Sequence, residues 1–225
     1  FNLKTIISSG LLGKTGISKW ISWCKLPVGT AQSMCFIIRN QPNLVVGVGG
    51  YVSAPLVFSA WLLRVPILIH EQNAFPGMAN KWLGKIATKV VVSFKESKKF
   101  FPKKKTEVTG NMIHKNLCQP RENFAPPSKQ PFKILILGGS QGAHSINLGI
   151  IEALDFLSDR KNNLHITHQT GEADYKYIKN QYCEKGFDAN VMSFITDMHL
   201  QYRLASLVIC RSGAKTIAEI TEAGR

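Results

Sequence analysis

Cysteine, acidic clusters and regular repeats are all scarce in this sequence of 225 residues, and each shortage argues against a class of protein. The five cysteines are scattered and never spaced as Cys-x-x-Cys, which argues against a disulfide framework or a zinc site and favours a reducing compartment. The 18 Gly and 10 Pro follow no collagen-like period. Because the chain opens at Phe1 without Met or a signal-peptide pattern, we expect a fragment that lacks both ends of its parent.

The rest of the composition is that of an ordinary globular protein, with 44% hydrophobic and 19% charged residues. Its length allows one large domain or two modest ones. The stretch 118–130 contains three prolines and little apolar periodicity, which is typical of a linker. We therefore predict a first domain over 1–117, a linker over 118–130 and a second domain over 131–225.

The excess positive charge lies entirely in the first half of the chain. Residues 1–130 contain 18 Lys and Arg against 4 Asp and Glu, whereas residues 131–225 contain 10 of each. Such an asymmetry indicates an anionic partner, either a membrane surface or a nucleic acid. A purely solubilising excess of charge is the alternative.

Short apolar runs that lead into glycines occur once in each half. Residues 44–48 precede Gly49 and Gly50, and residues 133–137 precede the glycine-rich segment 138–143. An apolar strand that feeds a glycine turn and then a helix is the repeating unit of a parallel α/β sheet. The helices are predicted over 54–63 and 144–157, and further buried strands over 66–69, 89–92 and 207–209. The predicted fold class is α/β, with two Rossmann-like domains.

A transmembrane span competes with this interpretation in one place. Residues 44–63 are uncharged over nearly the length that a bilayer requires. However, Gly47, Gly49, Gly50 and Pro55 fit a strand, a turn and a helix better than one continuous helix.

The glycine-rich segment 138–143 suits an anion, because glycines let the backbone approach a phosphate and the next helix start directs N–H groups at it. Ser140 offers a further hydroxyl donor. The segment reads GGSQGA, which is neither a Walker A sequence nor a GxGxxG fingerprint. Phosphate binding and a tight packing turn both remain open for it.

A second candidate phosphate site follows the strand predicted at 207–209. There the sequence 210–219 opens a helix, and Glu219 lies about one turn or more inside it. A carboxylate at that position can accept hydrogen bonds from the vicinal hydroxyls of a ribose. A solvated helix glutamate is the alternative.

Taken together, these segments resemble the MurG family, and they do so in the order of that family over nearly the whole chain. The residues that carry the resemblance are GVGGYVSAP at 47–55, HEQNAFPGMANKWLGKIA at 70–87, GN at 110–111, LGGSQGAHSIN at 137–147, HQTG at 168–171, FITDM at 194–198 and CRSGAKTIAEI at 210–220.

The resemblance implies a hexosyltransferase of peptidoglycan synthesis, with two incomplete Rossmann-like domains facing a cleft in the glycosyltransferase B arrangement. It implies inverting transfer of N-acetylglucosamine from UDP-N-acetylglucosamine to the muramoyl 4-hydroxyl of undecaprenyl-pyrophosphoryl-muramoyl-pentapeptide. No cofactor is expected, and no metal site is predicted because the sequence has no Asp-x-Asp or other carboxylate cluster.

Carried over by position, the resemblance assigns roles to individual residues. Ser140 is expected at the diphosphate, Ile195 against the uracil and Glu219 at the ribose. Asn73 is expected to reach the transferred sugar, and His70 and Glu71 are the candidate catalytic residues near the acceptor, although a partly buried structural histidine is an equal alternative for His70. The remaining donor-binding candidates open the last helix and are Ala214, Lys215, Thr216, Ile217 and Ala218.

One position departs from the family. Shortly after its Gly-Asn pair the family usually has Arg, whereas this chain has His114. Histidine offers one hydrogen bond where arginine offers a bidentate and permanently charged pair. We expect weaker or pH-dependent donor binding, and His114 is included among the donor-binding candidates.

The basic first half fits a membrane partner. Aromatic residues next to lysines suit the bilayer interface, and the predicted membrane-binding residues are Lys14, Lys19, Trp20, Ile21, Trp23, Lys25 and Trp61. Peripheral attachment to the anionic cytoplasmic face of the bacterial plasma membrane is therefore expected, with an ordinary core role for Trp20 and Ile21 as the alternative. No nucleic acid is expected, since the basic region lacks an RNP or zinc-finger context.

Two other functions remain open. One is a related lipid glycosyltransferase with a diacylglycerol acceptor, although the HEQN segment favours the muramoyl acceptor. The other is a non-catalytic nucleotide-sugar-binding protein.

Overall fold

The computed structural model describes residues 3–6, 17–50, 52–117 and 131–225, with the backbone alone for 17–25. The described chain forms two compact units, a first unit of Phe1–Asn111 and a second unit of Met112–Arg225. The predicted linker over 118–130 lies outside the described residues. Leu117, just before it, is buried against Leu135 and Leu137, which is why residues 112–117 pack with the second unit rather than the first.

The first unit contains a four-stranded parallel sheet in the order β1-β2-β3-β4. Its described elements are α1 (Ile17–Asn40), β1 (Val45–Gly47), α2 (Ser53–Leu62), β2 (Ile67–Glu71), α3 (Met78–Ile86), β3 (Lys89–Val92) and β4 (Thr106–Val108). Short 3₁₀ turns cover Lys95–Phe100 and Lys103–Lys105. Consecutive strands are neighbours throughout, so the described part of this sheet grows in one direction only.

The core of the first unit lies between its sheet and helices. Val57 and Ala60 of α2 pack on Ile67 and Ile69 of β2, and all four side chains are at most 2% exposed. Gly47 is required at the end of β1, because a Cβ there would lie 2.8 Å from the Ile69 side chain and 2.9 Å from that of Val57. The hydrophobic run 44–63 is thus a strand, a turn and a helix, as predicted. Among the described residues no helix has both the length and the apolar character to cross a bilayer.

The second unit contains a parallel sheet in the order β7-β6-β5-β8. Its described elements are β5 (Phe132–Leu137), α4 (His144–Leu154), β6 (Leu164–Gln169), α5 (Tyr175–Lys185), β7 (Ala189–Met192), α6 (Met198–Leu204), β8 (Leu207–Cys210) and α7 (Ala214–Glu222). A 3₁₀ turn covers Lys115–Leu117, and a longer 3₁₀ segment covers Asp155–Asn163. The chain builds outward from β5 to β7 and then returns to add β8 on the other side of β5.

This reversal of strand order creates a switch point between β5 and β8. In open parallel sheets the loops at the carboxyl ends of the strands diverge at such a point and leave a crevice for a ligand. The strand ends lie in one row, since Leu137 of β5 pairs with Gln169 of β6 and with Cys210 of β8. The topology alone therefore selects this edge of the second sheet as a binding site.

The two parallel α/β units predicted from the sequence are confirmed, and so are the strand, glycine turn and helix in each. Three strands were not predicted. β6 reads LHITHQ and β7 reads ANVM, so polar side chains interrupt the apolar run that identifies a buried strand, while β4 has only three residues. The helix predicted over 144–157 ends at Leu154, and 3₁₀ geometry follows.

Candidate functional site

A pocket of about 850 Å³ lies at the switch point of the second unit. Its volume is within the range of sites for small molecules and cofactors. The loops after β5, β7 and β8 line it together with the residues just before the 118–130 segment. The predicted site residues that line it are His114, Ser140, Ile195, Lys215, Thr216 and Glu219.

The loop after β5 brings its backbone close to any ligand in this pocket. Gly139 and Gly142 have φ of +82° and +79°, a conformation that favours glycine. A Cβ on Gly138 would lie 2.2 Å from the backbone N of Ala143, so the turn closes tightly before α4 begins at His144. The start of α4 has no side-chain cap, and the Asp174 carboxylate lies 3.0 Å from Nδ1 of His144, the first residue of that helix. The part of this turn that lines the pocket is the glycine loop 138–142.

The start of α7 lies on the other side of the switch point and is a second helix start without a side-chain cap. Gly213 precedes the helix without a side-chain cap, and Lys215 and Thr216 of the first turn line the pocket. Arg211, between β8 and α7, lines it as well. The glycine loop that leads into α4, the start of α7 and two cationic side chains therefore surround the same space, an arrangement that suits a phosphate or diphosphate.

Glu219 presents a carboxylate to this pocket. Its side chain is 13% exposed, and its Oε2 accepts a hydrogen bond of 3.2 Å from the Tyr202 hydroxyl. Oε1 lies 3.6 Å from Nζ of Lys215, one helical turn away. Burial and the neighbouring Glu219 carboxylate raise the pKa of Tyr202, so the phenol keeps its proton and remains a donor. The carboxylate is thus held in place and retains capacity to accept hydrogen bonds from ligand hydroxyls.

Ile195 forms an apolar wall of the pocket and is only 3% exposed. Its backbone N–H donates a 2.9 Å hydrogen bond to Oε1 of Gln169. That N–H is therefore engaged within the protein, and a base edge at this position would have to be read by another backbone group.

His114 lines the pocket beside His199, with the two rings stacked at 17° and their centroids 6.5 Å apart. Nδ1 of His114 accepts a 3.3 Å hydrogen bond from the backbone N–H of Asn116. His199 is not among the site residues predicted from the sequence.

The remaining residues predicted on α7 are not part of the pocket wall. Among the described residues that line it, Ala214, Ile217 and Ala218 do not occur. They belong to the same first turns of α7, and Ile217 is 41% exposed. A helix shows only one face to a ligand, which is why a contiguous run of helix residues cannot all contact it.

The candidate catalytic residues lie at the end of β2 in the first unit. Glu71 is 2% exposed, and its carboxylate accepts hydrogen bonds from the backbone N–H groups of Asn73 and Gly77 and from the side-chain amides of Asn73 and Asn80. A carboxylate bonded in this way holds the 71–77 loop in shape. The geometry therefore favours a positioning role for Glu71, and the side chain of Asn73 is one of the groups it holds.

His70 is buried too, with 3% exposure, but its hydrogen bonds are weak. Its Nε2 lies 3.4 Å from the Gly110 carbonyl oxygen and 3.5 Å from Oγ of Ser93. Its Nδ1 has no hydrogen-bond partner among the described residues. A buried ring nitrogen without a partner is uncommon, and it distinguishes His70 from a fully satisfied core histidine.

Of the predicted membrane residues, the side chain of Trp61 alone is described. It is 46% exposed on α2 and lies against Phe58, with ring centroids 5.6 Å apart. Lys14 lies outside the described residues. The backbone of α1 includes five further positions whose side chains are not described, namely Lys19, Trp20, Ile21, Trp23 and Lys25.

The sequence-based prediction gave no individual role to several residues that line the pocket, among them Arg211, Gln169 and Tyr202. Arg211 lies within the predicted phosphate site 210–219, so its charge was a usable signal. Gln169 ends a strand that the polar pattern concealed, and Tyr202 reaches Glu219 only through the packing of α6 on α7. Gln169 belongs to the HQTG segment of the family resemblance, but no local pattern gives either residue its role.

A parallel sheet with a strand-order reversal, and a pocket there lined by a glycine loop, a helix start and a carboxylate, is typical of nucleotide-binding α/β proteins. Profiles of the glycosyltransferase family 28 N-terminal domain and C-terminal domain match residues 3–92 and 133–225, respectively. The chain belongs to glycosyltransferase family 28.

Relatives with assigned names agree with this family. The chain is 44% identical over 227 residues to the UDP-N-acetylglucosamine–N-acetylmuramyl-(pentapeptide) pyrophosphoryl-undecaprenol N-acetylglucosamine transferase of Geotalea uraniireducens, with 100% of this chain and 62% of that protein covered. It is 43% identical to the protein of the same name from Myxococcus xanthus, with 98% and 57% covered.

Among solved structures, MurG of Acinetobacter baumannii is similar with a TM-score of 0.68 and 31% identity, over 95% of this chain and 60% of that one. The chain thus spans roughly three fifths of the length of these relatives. The Staphylococcus aureus MnaA–UDP structure, at 14% identity and a TM-score of 0.59, shares the fold.

Proposed function

We propose that the protein to which this chain belongs transfers N-acetylglucosamine from UDP-N-acetylglucosamine to the muramoyl 4-hydroxyl of undecaprenyl-pyrophosphoryl-muramoyl-pentapeptide, with inversion at the sugar carbon. The observation that carries the proposal is the pocket of the second unit, where the glycine loop before α4, the start of α7 and Glu219 surround one space. The names of the relatives supply the substrates. Peptidoglycan synthesis is the process to which this reaction belongs.

The donor diphosphate would bind between the starts of α4 and α7. Each helix start carries roughly half a positive charge, and uncapped N–H groups accompany it. The Ser140 hydroxyl and the side chains of Lys215 and Arg211 line the same space. As the sugar leaves, negative charge develops on the UDP, and these fixed dipoles and charges stabilise it without reorganisation.

The nucleoside would lie between Ile195 and Glu219. The apolar Ile195 side chain offers a surface for the uracil, and the Glu219 carboxylate offers acceptors for both ribose hydroxyls. Tyr202 holds that carboxylate from the protein side, which leaves its other lone pairs for the ligand.

In the first unit, His70 would contact the acceptor, whereas Glu71 would shape the loop that carries Asn73. Four hydrogen bonds within the protein already occupy the Glu71 carboxylate, and a base must be accessible to the proton it takes. His70 differs from Glu71 in that its buried Nδ1 has no hydrogen-bond partner among the described residues. Asn73 would reach the transferred sugar.

We further propose peripheral attachment to an anionic membrane through the first unit, at the cytoplasmic face of the plasma membrane. Trp61, Phe58 and Leu62 expose apolar surface on α2. On α3, Trp82 is 64% exposed, and Nζ of Lys85 lies 4.4 Å from the centroid of its ring. Aromatic rings and ammonium groups side by side suit the headgroup region.

Not every lysine of the first unit contributes to that surface. Nζ of Lys105 donates hydrogen bonds of 2.7 and 2.6 Å to the carbonyl oxygens of Lys85 and Ala87, at the end of α3. Partial burial lowers the pKa of Lys105. This lysine stabilises the end of a helix and is not part of the proposed membrane surface.

The transfer reaction is tested on the full-length protein with UDP-N-acetylglucosamine and the undecaprenyl-linked acceptor, by measuring UDP release and the glycosylated lipid. We expect transfer to the muramoyl lipid and none to diacylglycerol in a competition assay. Transfer to diacylglycerol would instead assign the protein to the related lipid glycosyltransferases, and binding without transfer would leave a nucleotide-sugar-binding protein.

The membrane proposal is tested by co-sedimentation of the same protein with anionic and neutral vesicles. We expect stronger binding to anionic vesicles and a loss for Trp82→Ser combined with Lys85→Ser. Tyr177→Ser with Lys176→Ser, on exposed positions of the second unit, is the control that should change nothing. Equal binding to both kinds of vesicle would contradict the electrostatic part.

A further inference from the structure

The side chain of Gln169 connects two separate walls of the pocket. Gln169 ends β6 and is 2% exposed. Its Nε2 donates a 2.8 Å hydrogen bond to the carbonyl oxygen of Gly139, and its Oε1 accepts the 2.9 Å hydrogen bond from the N–H of Ile195. Both ends of one amide are thus bonded to backbone groups of different loops, and these two partners fix the orientation of the amide.

The strand register explains why one residue can do this. Gln169 pairs with Leu137, the last residue of β5, and with Met192, the last residue of β7. The loops that contain Gly139 and Ile195 begin directly after those two residues. A side chain at the end of the strand between them therefore reaches both.

The backbone around Gln169 has little freedom to move. A Cβ on Gly142 would lie 2.0 Å from the Thr170 carbonyl oxygen, and one on Gly171 would lie 2.3 Å from that of Gln141. The glycine loop after β5 and the turn after β6 are therefore in direct backbone contact. Such a contact transmits a displacement of one segment to the other.

A buried hydrogen-bond network holds the end of β6 from behind. His168 is fully buried, with Nε2 3.1 Å from Oδ1 of Asn147 and Nδ1 3.0 Å from the Tyr182 hydroxyl. Nδ2 of Asn147 donates to the Thr170 carbonyl oxygen at 2.9 Å and to Asp174 at 2.7 Å. Each of these contacts has a matched donor and acceptor, so the segment 168–170 is a fixed support for the Gln169 side chain.

We propose that Gln169 is a positioning residue that fixes the separation between the phosphate-binding loop at Gly139 and the nucleobase wall at Ile195, and thereby sets the preference for uridine diphosphate over other nucleoside diphosphates. This inference rests on the proposed function. A nucleotide spans both loops, so its base and its phosphates fit simultaneously only if the loops keep their spacing. The base contact is the part that distinguishes one nucleotide from another.

The Gln169 amide supplies both a donor for the Gly139 carbonyl and an acceptor for the Ile195 N–H. In Gln169→Met both the Gly139 carbonyl and the Ile195 N–H lose their partner. In Gln169→Glu the Ile195 N–H keeps an acceptor, but an oxygen faces the Gly139 carbonyl oxygen where a donor is needed. The two variants therefore release the two loops differently while they keep the length of the side chain.

The test compares dissociation constants of UDP and ADP, measured by isothermal titration calorimetry on the full chain and its variants. We expect UDP affinity to fall about ten-fold in Gln169→Glu, which loses one hydrogen bond, and by more in Gln169→Met, which loses both, with little change for ADP. The ratio of the two affinities therefore falls. Gln181→Met is the matched control, since Gln181 is half-buried on α5, does not line the pocket and donates a hydrogen bond to Glu184.

If Gln169 had only a structural role, the thermal midpoint of the variants would fall and their affinities for UDP and ADP would weaken by the same factor. An unchanged ratio of the two affinities would therefore overturn the proposal. If the wild-type chain does not bind UDP, the proposed donor site is wrong. If the wild type binds UDP and the variants keep the same preference for UDP over ADP, the donor site stands and the role of Gln169 is wrong.

A measurement on the wild type keeps the proposal testable if a variant does not fold. Pyrophosphate alone, followed by hydrogen exchange, should slow exchange in the loop 138–142 and also at the Ile195 amide, because Gln169 links the two. Protection confined to 138–142 would overturn the link.

Discussion

The two units contain the same local pattern, a short parallel strand followed by glycines and a helix, but they use it differently. In the first unit the described strands follow one another across the sheet, and the turn at Gly49 and Gly50 ends a strand at its edge. In the second unit the chain reverses across the sheet directly beside the glycine loop. The pocket lies at that reversal. A glycine turn therefore becomes a ligand site when the topology opens a crevice next to it, and the motif alone does not decide this.

The buried residues at the strand ends differ in a similar way. His168 in the second unit has a partner on each ring nitrogen, whereas Nδ1 of His70 in the first unit has none among the described residues. For the carboxylates, it is the one in the first unit that is fully bonded. Glu71 is occupied by bonds within the first unit, whereas Glu219 faces the pocket of the second. Among these four side chains, His70 and Glu219 are thus the ones that the protein leaves incompletely bonded.

The largest expected effect is that of Gly142→Ala. The new Cβ would lie 2.0 Å from the Thr170 carbonyl oxygen at a φ of +79°, so the loop must move. We expect a destabilisation of about 3 kcal/mol or more and loss of UDP binding. Gly50→Ala in the first unit, at a φ of +76° with open space around it, should cost only about 1 kcal/mol. Urea unfolding, with circular dichroism for the whole chain and Trp fluorescence for the first unit, measures both. Equal effects would contradict the comparison.

The next effect concerns pH. Burial lowers the pKa of His168 from 6.5 to about 4. Between these values the unfolded chain binds the proton and the folded chain does not, so stability falls as the pH is lowered from 6.5 to 4. The loss for the second unit is on the order of 3 kcal/mol. Urea unfolding of wild type and His168→Gln across this pH range checks it, and the variant should lose this part of the slope. His165→Gln, on the exposed His165–Asp188 pair of the same strand, should retain it.

A smaller effect separates the two carboxylates. Glu219→Gln should weaken UDP binding about ten-fold, because a charged acceptor for the ribose hydroxyls is lost. Glu71→Gln should leave UDP affinity unchanged and lower the thermal midpoint, since it disrupts the 71–77 loop. Calorimetry and thermal unfolding of both variants measure this pair, and a fall in UDP affinity for Glu71→Gln would count against the assignment.

The smallest effect is expected for His114→Arg. Arginine would add a permanent charge and a bidentate donor beside the phosphate site, so the Michaelis constant of the full-length protein for the UDP-sugar should fall a few-fold. An unchanged constant would show that His114 does not limit donor binding.

Several elements of the fold and of the pocket could be predicted from the sequence, because local residue patterns identify them. β3 contains three consecutive valines, and the glycines before α4 and α7 are local signals. Ser140 and Glu219 line the same pocket, and their roles toward a ligand stay predictions. β6 was missed because His168 and Gln169 are polar residues in a buried strand, and their partners lie up to 30 positions away. The role of Gln169 depends on a register with two other strands, which no local pattern encodes.

The most direct test of the central claim is a crystal structure of the chain with UDP bound. Our account predicts the diphosphate within hydrogen-bond distance of backbone N–H groups at the starts of α4 and α7, with the ribose at Glu219 and the base against Ile195. Nucleotide density at the Gly49–Gly50 turn of the first unit, or anywhere away from Ser140 and Glu219, would contradict it.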